Sequence, residues 1–128
     1  MTNRIEIEPM AGRWLKTNDK PQWIAGADVD VEGDQLRVRL YGGGLGPSPE
    51  DWGSVVSDIV YASGPDTTDA HAGAFVCRYA FDHCDVEVQA NLNLGLLVVA
   101  TWVTFKEPGP YANRFTREFF RRVEGEAA

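Results

Sequence analysis

The stretch Asp-Val-Asp-Val-Glu-Gly-Asp-Gln-Leu-Arg-Val-Arg-Leu, residues 28–40, decides the fold. Val29 and Val31 alternate with Asp28, Asp30 and Glu32; Gly33 and Asp34 then make a two-residue turn, after which Leu36, Val38 and Leu40 alternate with Arg37 and Arg39. Period-two alternation on both sides of such a turn marks an antiparallel hairpin. Pairing Glu32 with Gln35 sets Val31 against Leu36 and Val29 against Val38, with Asp30 against Arg37 and Asp28 against Arg39. One face is then apolar and the other carries opposite charges across from each other. A one-residue slip would destroy both patterns at once, so the register is fixed.

The same arithmetic yields a second hairpin from residues 73–81 and 85–93, turning at Asp82 and His83. Phe75, Cys77, Tyr79 and Phe81 meet Ala90, Val88, Val86 and Cys84 on one face, and Arg78 meets Glu87 on the other. Cys77 and Cys84 are well separated along this strand pair, and two thiols without a CxxC spacing read as reduced, ordinary residues rather than a disulfide or metal pair. Further strands are predicted over residues 12–17, 52–62, 96–106 and 111–123, the last preceded by the Pro-Gly-Pro turn at 108–110. No stretch sustains helical spacing over three turns. The expectation is an all-β fold, an eight-stranded antiparallel up-and-down barrel in a single domain over residues 1–128, with 1–10 and 124–128 loosely ordered. Two loops rich in Gly, Pro, Ser and Asp, residues 42–51 and 63–72, interrupt the strands and are placed at the barrel mouth.

Gly12-Arg13-Trp14 on the first strand, followed by this strand series and an Arg-rich last strand, resembles the calycin pattern shared by lipocalins, fatty-acid-binding proteins and avidins. The resemblance implies that Gly-x-Trp opens the barrel and that a basic residue near the end packs over the indole. Arg114, Arg117, Arg121 and Arg122 are the candidates for that residue.

Composition narrows the function classes. Nineteen acidic and twelve basic residues give a formal charge of −7, which repels phosphate backbones and anionic membranes, so neither nucleic acid nor membrane is expected as a partner. The arginine cluster at 114–122 reads as a solvated strand face. Residues 1–10 lack the apolar core of a secretory signal, and the longest apolar run, 92–103, is too short for a helical span, so the cytoplasm is the expected address. No HExxH, GxSxG, Walker or Rossmann motif occurs, and Gly42-Gly43-Gly44 with Gly46 lacks the Lys-Ser/Thr of a phosphate loop. No metal site or cofactor is expected. His71 and His83 read as surface histidines, His71 being placed to act as an acid or base at the rim.

An eight-stranded barrel is just wide enough to be filled by side chains or to hold one small ligand. The first expectation is a barrel that binds a small apolar or aromatic molecule in its interior, entering past residues 42–51 and 63–72, with Trp23, Trp52, Tyr61, Phe75, Cys77, Tyr79, Thr101 and Arg117 as the site. Tyr79, Cys77 and Thr101 are either satisfied core residues or the polar groups that orient the ligand. Arg117, if it faces in with Phe115, Phe119 and Arg121, needs a buried carboxylate or an anionic ligand. The alternatives are a cofactor-independent cyclase or isomerase helped by Tyr79, His71, Asp58 or Arg117, and a protein-interaction module with a filled core. Val98, Ala100 and Trp102, with Ala74, Val76 and Ala80, form an outward apolar wall, from which a homo-oligomer, a dimer, is expected.

Overall fold

The computed structural model of the chain describes residues 5–47, 49–65 and 70–123; residues 1–4, 48, 66–69 and 124–128 lie outside the described residues. The fold is all-β. Among the described residues nine strands follow a 3-10 turn at Glu8–Met10: β1 Gly12–Lys16, β2 Ile24–Glu32, β3 Gln35–Gly42, β4 Asp51–Val56, β5 Ile59–Ala62, β6 Ala72–Ala80, β7 Cys84–Asn93, β8 Leu96–Phe105 and β9 Arg114–Arg122. They form one curled sheet in the order β4-β3-β2-β1-β9-β8-β7-β6-β5, with every neighbouring pair antiparallel.

Both hairpin registers are as read from the sequence. Asp28 pairs with Arg39, Asp30 with Arg37 and Val31 with Leu36, while Phe75 pairs with Ala90, Cys77 with Val88 and Arg78 with Glu87. Arg78 bonds Glu87 directly across from it at 3.1 Å, whereas the charged side chains of the first hairpin choose other partners than those directly across. Arg37 reaches back to Glu32, Arg39 crosses to Asp51 on β4, and Asp28 bonds Arg13 at 3.0 Å and the Tyr41 hydroxyl at 2.7 Å. All are exposed or half-exposed, so solvent screening leaves each with little weight in stability.

The strand count departs from eight because residues 52–62 are divided at Ser57 and Asp58. The Ser57 amide donates to the Leu36 carbonyl on β3, whereas the Asp58 amide donates to Val76 on β6. The chain therefore leaves one edge of the sheet and joins the other. Eight antiparallel steps separate β4 from β5 in the strand order, so the two edge strands run in the same sense. A second irregularity lies at Gly53, whose φ of +82° is left-handed backbone that favours glycine. Arg39 pairs with Ser54 but Tyr41 with Asp51, so Trp52 and Gly53 together oppose Leu40 as a β-bulge. The bulge lets Trp52 and Val55 both turn toward the core, which simple alternation would forbid.

Antiparallel pairing sorts the connections into two ends. Among the described residues, 17–23, 43–47, 49–50, 81–83 and 106–113 gather at one end, called the mouth below, and 33–34, 63–65, 70–71 and 94–95 at the other. The two long loops expected to share one entrance thus lie at opposite ends. The far end is closed by the N-terminal segment, which is not loose from residue 5 onward. Glu6 bridges to His71, its amide donating to Ala70 and its carbonyl accepting from Ala72, while Ile7 and Met10 are buried. Arg122 identifies itself as the basic residue over Trp14, its guanidinium carbon 4.6 Å from the ring centre and Nη2 donating to the Pro9 carbonyl at 2.5 Å. The Trp14 indole donates to Met10 O at 3.2 Å.

Candidate functional site

Six of the eight residues marked from the sequence face the core: Trp23, Trp52, Phe75, Cys77, Tyr79 and Thr101 are all buried. Tyr61 and Arg117 do not join them. Val60 pairs with Phe75 and shares its inward face, so Tyr61 beside it turns outward and is half exposed. On β9 the inward set is Thr116, Glu118 and Phe120, because Thr116 pairs with inward Thr101 and Phe120 with inward Leu97. Arg117 consequently lies on the outer face, stacked over Phe119 at 5.3 Å, and needs no buried partner.

The hydroxyls of Tyr79 and Thr101 are held by the protein itself. The Tyr79 hydroxyl lies 3.0 Å from the Val38 carbonyl and 2.9 Å from that of Gly53, and shares its single proton between them. Burial pushes the phenol well above its ordinary range, so it stays protonated and committed. Thr101 bonds Thr116. Burial pushes the Cys77 thiol up to about 12, which leaves it an inert core group, and Cys84 is likewise buried and shifted upward. At the level of Cys77 and Thr101 the side chains are fully buried, and the Thr101 hydroxyl is bonded within the protein.

Glu118 escapes a sequence reading, since a lone glutamate among arginines looks like a surface charge. Its carboxylate turns inward and accepts from the Trp23 amide at 2.7 Å and the Ile24 amide at 3.1 Å. Strand β1 ends at Lys16, paired with Phe120, so above it β2 and β9 have no ladder between them, and Glu118 spans that gap. Burial raises its pKa, against the lowering effect of the two amides.

Toward the mouth the buried core gives way to a row of rings. Tyr79 stacks on Phe81 at 5.9 Å, Phe81 on His83 at 6.1 Å, and Phe105 on Tyr111 at 5.8 Å, with His83 tilted against Phe105 at 6.3 Å. Trp52 meets Tyr79 and Phe81 edge-on at 5.4 and 5.5 Å. The outer part of this row lines a groove of about 440 Å³ formed by Pro47, Asp82, His83, Phe105, Lys106, Glu107, Gly109, Pro110 and Tyr111. Lys106 is tied down at its edge, donating to the Phe81 carbonyl at 2.7 Å.

The glycine-rich loop over the mouth is seated rather than free. A Cβ on Gly43 would sit 1.8 Å from the Gln22 carbonyl oxygen, and one on Gly46 would sit 2.4 Å from the Trp23 ring. Glycine here allows backbone to touch backbone and indole. Three buried nitrogens at this end, Trp23 Nε1, Trp52 Nε1 and His83 Nε2, have no hydrogen-bond partner among the described residues. Comparisons with family models, curated proteins and solved structures give no match. The reading of the site therefore stands on its geometry. Among the described residues no helix is long and apolar enough to cross a membrane.

Proposed function

We propose that this chain is a calycin-like barrel that binds a small apolar or aromatic molecule, and that the seat of the ligand is the mouth groove rather than the deep interior. The observation that carries the reading is the row of rings from Trp52 and Tyr79 through Phe81 and His83 to Phe105 and Tyr111, which continues the core into an open groove. A concave surface that offers aromatic rings beside charged rim groups, here Asp82, Lys106 and Glu107, can hold and orient such a ligand, and offset or edge contacts with the rings each add about 0.5–1.5 kcal/mol beyond burial. The carboxylates of Asp82 and Glu107 on the rim favour neutral or cationic aromatics over anions.

The barrel reading is supported by the handover at Ser57 and Asp58. Taken as one strand, residues 51–62 pair with β3 in their first half and with β6 in their second, the arrangement that an eight-stranded ring requires. The Arg122 guanidinium over Trp14 is the contact that the calycin resemblance implies. Two buried free thiols accord with a reducing compartment, and we place the protein in the cytoplasm.

A titration with a panel of neutral and cationic bicyclic aromatics, followed by tryptophan emission in Trp102→Phe, tests this function. The remaining indoles include Trp23 and Trp52 beside the mouth, so binding alters their emission in a saturable way. Tyr111→Ala weakens that response at least fivefold. A panel without saturable response, or equal affinity after Tyr111→Ala, overturns the groove as the seat.

A further inference from the structure

The outer face of β7, β8 and β9 carries a surface that the ligand groove does not use. On β8, Ala100 and Trp102 point outward, and on β9 Phe115, Arg117, Phe119 and Arg121 do the same. Trp102 is 40% exposed, Phe115 54% and Phe119 37%. Trp102 and Phe115 face each other across the ladder with ring centres 5.0 Å apart, and Phe119 lies opposite Val98, which is buried. The pair of Trp102 and Phe115, with Ala100 beside it and Phe119 beyond Arg117, makes an exposed aromatic patch on the outer face of the sheet, which a monomer rarely exposes.

The charges on the two strands flanking this patch differ in sign. Strand β9 brings Arg117 and Arg121 to one side, and β7 brings Asp85 and Glu87 to the other, Asp85 lying 3.7 Å from Lys106 and Glu87 3.1 Å from Arg78. We infer that this wall binds a second copy of the chain, about a two-fold axis running parallel to β8. Rotation about that axis lays β8 over β8, so the Trp102 and Ala100 stripes meet, and it carries β7 of one protomer over β9 of its partner. On both flanks Arg117 then lies one row along from Glu87 of the other protomer, since Glu87 and Phe115 share the row of Trp102 and Arg117 that of Ala100. An axis across the strands would instead set β9 on β9 and oppose like charges, so the pattern selects one orientation.

The register makes the contact specific. Arg117 pairs with Ala100 within its own sheet and Gln89 pairs with the same Ala100 from the other side, so the three lie in one row. Across the dimer Arg117 falls opposite Gln89, whose side-chain amide donates to Glu87 at 2.9 Å and leaves its oxygen to accept. Glu87 itself also holds Arg78 at 3.1 Å, so its charge is positioned before association. Aligned packing of two sheets at about 10 Å leaves room for the aromatic rings between them.

Sedimentation velocity of the full chain from about 1 to 200 μM, with circular dichroism to confirm folding, tests the inference. The chain sediments as a dimer in the upper part of that range, and Trp102→Glu weakens dimerisation at least tenfold. Arg117→Glu and Glu87→Arg are each monomeric over a wider range, because each opposes like charges twice. An equimolar mixture of these two variants regains the dimer, since every cross-contact again joins opposite charges. A wild-type chain that stays monomeric to 200 μM, as it would if the wall takes an unrelated partner, overturns the inference. So does a dimer indifferent to Trp102→Glu, or a mixture no more associated than its components.

Discussion

Replacing Glu118 by Gln isolates one contact that holds the mouth together. The carboxylate accepts from two backbone amides, at 2.7 and 3.1 Å, on the side of the chain that β1 no longer covers. Glutamine offers one acceptor oxygen, so one amide loses its partner and faces an NH₂ donor instead. Losing a charge-assisted bond costs about 1.5–3 kcal/mol, and relief of the buried charge returns part of it. The net cost is about 1–2 kcal/mol, or roughly 4–8 °C in Tm for a domain of this size. The pH dependence adds a sign. Burial raises the Glu118 pKa, so the folded state holds the proton more tightly than the unfolded chain does. Its contribution to stability is therefore fully present below the ordinary glutamate range and declines as pH rises through the raised folded value. Urea unfolding of wild type and Glu118→Gln at several pH values from about 4 to 8 reads both effects, the gap between them widening as pH falls through that interval. Equal midpoints near neutrality, together with parallel pH profiles, would refute the assignment of Glu118 as the bridge between β2 and β9.

Arg122→Ala removes the cation over Trp14 and the bond to Pro9, and lowers stability by about 1–2 kcal/mol. Limited proteolysis should then cut first within residues 5–11, where the wild type resists. Cys77, buried and with its thiol pushed up to about 12, stays unmodified by iodoacetamide at pH 8 until the chain is unfolded, as mass spectrometry of the peptide containing residue 77 will show.

Different parts of the molecule were legible to different degrees. The hairpin of residues 28–40 could be read to the residue because its turn, its apolar face and its charges all demand one register. β8 was legible too, since Leu97, Val99, Thr101 and Val103 alternate against a single charged residue, Lys106. β9 was not: its two alternating sets each contain phenylalanines and charges, so only the pairing of Thr116 with Thr101 decides which faces in. The break at Ser57 and Asp58 leaves no local mark, because it depends on which neighbour each half of the strand meets. Gly53 was the one local hint of the bulge beside it.

The site divides along the same line. Alternation found the buried residues from Trp52 to Thr101, but burial alone does not separate a core from a pocket. Phe81, His83, Phe105 and Tyr111 were missed although a signal existed. They flank the turns at 81–83 and 106–113, and antiparallel connectivity puts both turns at the same end. Aromatic density beside turns that share an end is the pattern to seek in such chains. Tyr61 and Arg117 failed because a side chain was assigned to a face before the register of its strand was known.

The most direct measurement is a map of amide and ring proton shifts by NMR as a neutral bicyclic aromatic, such as a naphthol, is added to the isotope-labelled protein. Ligand seated in the mouth produces saturable ring-current shifts at His83, Phe105, Lys106, Gly109 and Tyr111, and leaves Leu97, Ala90 and Phe75 at the buried far half unmoved. Shifts concentrated at Phe75, Cys77 and Thr101, or none that saturate at the mouth, would contradict the account.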